Sequence, residues 1–204
     1  MTWPIKKRRL RKLAADPTKP DSCNLQWLAS ITGADDGIVA TYFIVAANRL
    51  VEIAVKKEIG HPDCLFMPIA FLYRHGTELM LKDLIQLGTA LGVIHPEEAS
   101  QCDIDREHRL NTLWKLTEIG LTRRWPKGNK LILENVRTVI NDLHNMDPDG
   151  QGFRYSRDTK KRSTMSRYPE TFSLGDFRAT MAPVYNMLDA CREELIYDLS
   201  EMGK

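Results

Sequence analysis

The sequence predicts an all-α protein, an up-and-down bundle of four to five helices, on three observations. Apolar residues recur at three- and four-residue spacing over five long segments. No segment alternates in the way a half-buried strand requires. A length of 204 residues with 43% hydrophobic content is enough for one substantial core, so a single globular domain is expected over residues 23–204.

The elements follow in order. Residues 1–22 carry KKRRLRK and then two prolines in a polar context, which predicts a flexible basic arm. A short apolar rhythm covers residues 24–31, and TGADDG supplies turn and cap chemistry before a first long helix, Ile38 to Ile59. Gly60 and Pro62 stop that helix, and Asp63 is placed to cap the next. The second helix contains Phe71 to Ile85, tolerates Pro68 in its first turn and ends at Gly88 or Gly92. After a HPEEAS linker, Ile104 to Leu121 reads as a third helix and Leu131 to His144 as a fourth. Residues 147–174 lack periodicity and form an irregular basic loop, of a length that is often functional. Gly175 to Met202 is the last helix.

The second helix organises the rest. Ile69, Leu72, Tyr73, Leu79, Met80, Leu81, Leu84 and Leu87 spread over more than half its circumference, so neighbours must cover it on several sides. Arg74, His75, Glu78 and Lys82 share the remaining arc of about 100°. Buried charge without partners costs several kcal/mol, so these residues pair with each other, line a cleft or meet a subunit interface. One reading is a packing network in which Glu78 accepts from Arg74 and Lys82; the other is a functional site. His108, near the start of the third helix, belongs with this group, and Arg137, Asn141 and His144 make a second stripe within about 60° on the fourth helix.

Charge is segregated. Residues 1–20 sum to +6, residues 121–130 to +4 and residues 153–168 to +5, so the remainder carries −13 against a net +2. Such a division suggests RNA or another polyanion as partner. The residues expected to contact it are Lys6, Lys7, Arg8, Arg9 and Arg11 in the arm, Arg123, Arg124 and Lys127 before the fourth helix, and Arg154, Arg157, Lys160, Lys161 and Arg162 in the irregular loop. Trp125, Phe153, Tyr155 and Tyr168 offer stacking surfaces among them.

Other classes are disfavoured. Cysteines at 23, 64, 102 and 191 form no C-x-x-C pair and no zinc-finger spacing, which predicts reduced thiols and no metal site. No Gly-rich phosphate loop, zincin motif or nucleophile elbow occurs, and no cofactor is expected. No stretch reaches the ~18–20 consecutive apolar residues of a membrane span, and no secretory h-region follows the basic start. A cytoplasmic protein without membrane association is expected.

FLYRHGTELMLKDLI, HRLNTLW some thirty residues later and MDPDGQGFRYSRD together resemble the HEPN superfamily of small helical bundles. The likeness lies in the Arg-His-x-x-Glu helix, the His-x-Leu-x-x-Leu helix start and the Asp-Pro-x-Gly…Phe-Arg-Tyr loop, and it spans roughly residues 36–200. It implies a bundle of four or five helices, usually a homodimer. It also implies a metal-independent endoribonuclease of a toxin–antitoxin or phage-defence system, with an antitoxin or defence protein as partner; other members only bind nucleotide or RNA or mediate dimerisation. The RNase members carry Arg, four to six residues, then His on one helix, and Arg137 to His144 fits that spacing, while Arg74, His75 and Glu78 with His108 form the rival set.

Overall fold

A computed structural model describes residues 35–58, 61–155, 157, 163, 168 and 171–203. The expected arm with Lys6, Lys7, Arg8, Arg9 and Arg11, the rhythm at 24–31, and Lys160, Lys161 and Arg162 lie outside the described residues. The compact unit Asp35–Lys204 is all-α: among the described residues there are six α-helices, one 3₁₀ turn and no strand. The helices are α1 (Asp36–Val55), α2 (Phe66–Ala90), α3 (Pro96–Ala99), α4 (Leu110–Arg124), α5 (Lys130–Met146) and α6 (Leu174–Met202).

α2 is the central helix, as its apolar circumference demands. Fourteen of its twenty-five residues are buried, and α1, α4 and α6 pack around it. Its Ile69, Tyr73, Met80, Leu81, Leu84 and Ile85 meet Ile44 and Val51 of α1, Leu113 and Trp114 of α4, and Met181, Val184 and Leu188 of α6 in one continuous core. α5 lies against α4 and, more lightly, α6, burying Val136, Ile140 and Leu143.

The boundaries follow local hydrogen bonding. Asp35 caps α1 by accepting from the Ile38 N–H at 2.9 Å, and α1 stops at Val55, where Lys56 and Lys57 turn the chain, four residues short of the expected end. Asp63 caps nothing: it falls inside a 3₁₀ turn, Pro62–Leu65, ahead of α2. The HPEEAS linker contains α3, secured by the Glu98 carboxylate accepting from the His95 N–H at 3.0 Å. The third expected helix begins six residues late, at Leu110. Glu107 folds back to accept from the N–H groups of His108 and Arg109 at 3.0 and 2.9 Å, which holds this segment outside the helix. Ser173 caps α6 by accepting from the Asp176 N–H.

α1 is the one described helix long and apolar enough, by length and composition, to cross a membrane; 28% of its apolar window is buried, all of it within this bundle.

Candidate functional site

Arg74, on the third turn of α2, is 2% exposed and nearly saturated. Its Nη1 donates to Glu78 Oε2 at 2.8 Å, its Nη2 to the His108 carbonyl at 2.5 Å and its Nε to the Asp147 carbonyl at 3.0 Å, with the Asp147 carboxylate 3.3 Å away. Glu78 lies one turn on and holds a second cation, Lys82 Nζ at 3.3 Å, which also donates to the Asp105 carbonyl at 3.0 Å. The i,i+4 spacing read from the sequence therefore produces the Arg74–Glu78–Lys82 chain. Burial pushes the Glu78 carboxyl up, but hydrogen bonds from His108 and Arg74 outweigh it, and its pKa falls below the ordinary value.

The loop after α5 completes the enclosure. Asp147 is fully buried and accepts from the Gly152 N–H at 2.7 Å, so DPDGQG wraps around the guanidinium. Gly150 has φ +72°, and a Cβ there would sit 3.0–3.2 Å from the Arg74 guanidinium, so both conformation and contact require glycine.

The network reaches the surface through His108. Its Nδ1 is 2.9 Å from Glu78 Oε1, whereas its side chain is 54% exposed, and among the described residues no hydrogen bond to Nε2 is seen. A buried carboxylate thus orients a half-exposed imidazole, the arrangement that fixes a tautomer for proton transfer. Beside it, the exposed Arg109 pairs with Glu107 at 2.6 Å, and hydrogen bonding from Arg109 holds the Glu107 carboxyl down to about 2.

His144, near the end of α5, belongs to the same region. Burial pushes its pKa down, and the positive charges of Arg74 and Arg109 push it further; its Nδ1 is buried with no hydrogen-bond partner. An imidazole with an unmatched buried nitrogen therefore lies on the Arg74 side of the bundle.

Two expected groupings are corrected. His75 does not join Arg74, Glu78 and Lys82: it stacks on Phe71 with ring centroids 5.5 Å apart and meets the edge of Phe43 at 4.6 Å, because one residue turns a helical side chain by 100° toward α1. Burial lowers its pKa, as do the nearby cations, against the opposing pull of Glu78. Arg137 does not join His144 either. It is exposed and forks onto Glu118 of α4, Asn141 is exposed beside it, and His144 turns toward Arg74. The Arg-x6-His pair is divided between two surroundings.

No family model matches this chain, and no curated protein or solved structure does.

Among the expected polyanion contacts, Arg123 forks onto Glu98 and Arg124 onto Asp198. Exposed Arg154 donates from Nε to the Gly150 carbonyl and lies over the Tyr155 ring at 5.8 Å, tying it to the loop that wraps Arg74. Lys127 and Arg157 are exposed. Asp147, Glu107 and Arg109 were missing from the sequence-derived set; the available signal was that a buried arginine on an apolar helix needs more than one acceptor. A groove of about 410 Å³ between α5 and α6, floored by Phe172 and Phe177, carries Asp142 and Asp176 and none of these histidines.

Proposed function

We propose that the chain acts on RNA, as a HEPN-like metal-independent endoribonuclease, and that His108 and His144 are its catalytic residues. One observation carries the reading: His108 is held by buried Glu78 through Nδ1, and its imidazole is half-exposed beside Arg109. In this chemistry one neutral imidazole takes the 2′-hydroxyl proton, the 2′-oxygen attacks phosphorus, and the P–O5′ bond breaks as the other, protonated imidazole delivers a proton to the leaving oxygen. The products are a 2′,3′-cyclic phosphate and a 5′-hydroxyl. Arg109 and Arg154 are the exposed cations available to the phosphate, while Arg74 and Lys82 act from beneath by holding Glu78 and the loop. The toxin or phage-defence setting, with its antitoxin partner, belongs to the same proposal.

A second reading is a non-catalytic RNA-binding or regulatory module. It is favoured by the closure of the Arg74–Glu78–Lys82 chain, whose donors already meet acceptors of the protein itself. Incubating purified protein with mixed RNA in EDTA, and comparing His108→Ala and His144→Ala with wild type, separates the two. Cleavage leaving cyclic-phosphate ends, lost in both variants, supports the enzyme. Intact RNA with salt-dependent binding supports the module, and neither cleavage nor binding removes both.

A further inference from the structure

The groove between α5 and α6 takes no part in the proposed cleavage. Its walls come from two helices that meet only lightly, because α5 packs mainly on α4, and an open trough of about 410 Å³ is left between them. Val139, Leu143 and Met146 line it from α5 and Met181 from α6. Phe172 and Phe177 form the floor, edge to face with ring centroids 5.1 Å apart, and Phe66 of α2 holds Phe172 from behind at 5.0 Å. The floor is therefore built before anything enters.

Charge gives the trough its preference. Asp142 on the α5 wall and Asp176 on the α6 wall are both exposed; among the described residues neither carboxylate makes an ion pair, and no Lys or Arg lines the groove. Asp176 has a local purpose, since an acid in the first turn of α6 complements the positive end of that helix. Asp142 has none. It lies four residues before the end of α5, where the helix dipole gives an acid no help, and the positions three and four residues away hold Thr138, Val139, Asn145 and Met146 rather than a cation.

We infer that this groove docks an apolar, lysine- or arginine-bearing segment of a partner polypeptide. Such side chains are apolar along the stem and cationic at the tip, so the stem lies on Phe172 and Phe177 while the tip reaches a carboxylate on either wall. Met146 and Met181 adapt to the apolar residues that flank the cation. An amphipathic helix laid along the trough meets both requirements at once.

The same charges disfavour other occupants. RNA and anionic lipid meet only carboxylates there. A second copy docked through the same patch would set Asp142 and Asp176 against their own copies. A free polyamine would satisfy the acids and leave the Val139, Leu143 and Met146 wall in water.

Docking here requires nothing of His108, and it stands or falls apart from RNA cleavage. The test is fluorescence anisotropy of the full chain with two labelled amphipathic peptides, one of Leu and Lys at helical spacing and one with Glu at every Lys position. Wild type is expected to bind the Leu–Lys peptide and not the Leu–Glu peptide. Asp142→Asn with Asp176→Asn should weaken binding about tenfold, and Thr180→Arg, which puts a cation of the chain's own into the trough, should abolish it, with helical circular dichroism unchanged in both. Glu134→Gln with Glu194→Gln, on exposed acids outside the groove, should bind as wild type does. If Thr180→Arg does not fold, the Asp142 and Asp176 pair decides alone. Four outcomes overturn the inference: no binding of the Leu–Lys peptide by wild type, equal loss in the Glu134 and Glu194 pair, spermidine binding as tight as that of the peptide, or self-association of wild type that Thr180→Arg abolishes.

Discussion

α2 carries two buried ionic clusters, and they end differently. Near its start, Arg74 and Glu78 tie α2 to the Asp147 loop and the segment before α4, and the chain of contacts emerges at half-exposed His108. One turn beyond Glu78, Asp83 meets Arg192 of α6, which reaches Asp35 at the cap of α1, and every strong acceptor there is met by that one guanidinium. The second cluster is a clamp between three helices. At Arg74 and Glu78 the first is buried as deeply as the second is at Asp83 and Arg192, yet it ends on an oriented, half-exposed imidazole. Burial of charge alone does not mark a site; what distinguishes one is a titratable group at the end of the network, facing water.

The largest effect is expected from breaking the clamp. Arg192→Ala strands the Asp83 carboxylate and should cost about 3–5 kcal/mol in urea unfolding. Burial already raises the Asp83 pKa against the pull of Arg192. A raised acid weakens the fold as pH rises through its unfolded value near 4, so the Arg192→Ala deficit should shrink as pH falls toward 4. A deficit that does not change with pH would mean that Asp83 finds another cation.

Gly150→Ala comes next. The left-handed backbone costs an alanine about 1–2 kcal/mol, and the added methyl crowds the Arg74 guanidinium. Loss of stability together with loss of any RNA activity is expected, whereas an equal stability loss at the clamp through a milder change, Asp35→Asn, should spare activity per folded molecule.

The clamp was also the part least legible in the sequence. The helices were readable because 3.6-residue periodicity is a local signal, and the central place of α2 followed from its apolar circumference. Arg74, Glu78 and Lys82 pair within one helix, so spacing sufficed. Asp83 and Arg192 lie 109 residues apart on different helices, and no period connects them. A hint existed, since Arg192 falls between Leu188 and Leu195 on the apolar side of α6 and therefore needed a buried acid. His75 was misplaced because one residue of helical rotation separates an ion network from an aromatic contact. The residues of segment 104–109 suit a helix, but the Glu107 carboxylate competes for the N–H groups of His108 and Arg109. Asp147 opens a segment without periodicity, so nothing local shows that its carboxylate accepts from the loop that encloses Arg74.

A smaller effect concerns pH. The His75 and His144 pKa values lie below the ordinary histidine value, chiefly through burial. Histidines depressed in the folded state contribute stability that is complete above about pH 6.5 and is lost as pH falls through that value, because the unfolded chain binds the proton first. Unfolding free energy measured between pH 8 and 5 should decline, and His75→Phe with His144→Gln should flatten the decline. A profile unchanged by the double substitution would place the titrating groups elsewhere.

The smallest expected change in stability is also the most informative. His108→Ala removes one hydrogen bond to buried Glu78 but leaves those from Arg74 and Lys82, so it should cost about 1 kcal/mol in urea unfolding. If the Arg74 cluster exists to present that imidazole, the same substitution should lower RNA cleavage by about 10²- to 10⁴-fold. Turnover and unfolding midpoint measured on the same preparations of wild type and His108→Ala test the difference between the two clusters directly. The account predicts a loss of turnover far larger than a stability loss of about 1 kcal/mol explains. Equal turnover in both proteins, or no cleavage by wild type with its natural partner supplied, would contradict it and leave the Arg74 cluster a second clamp.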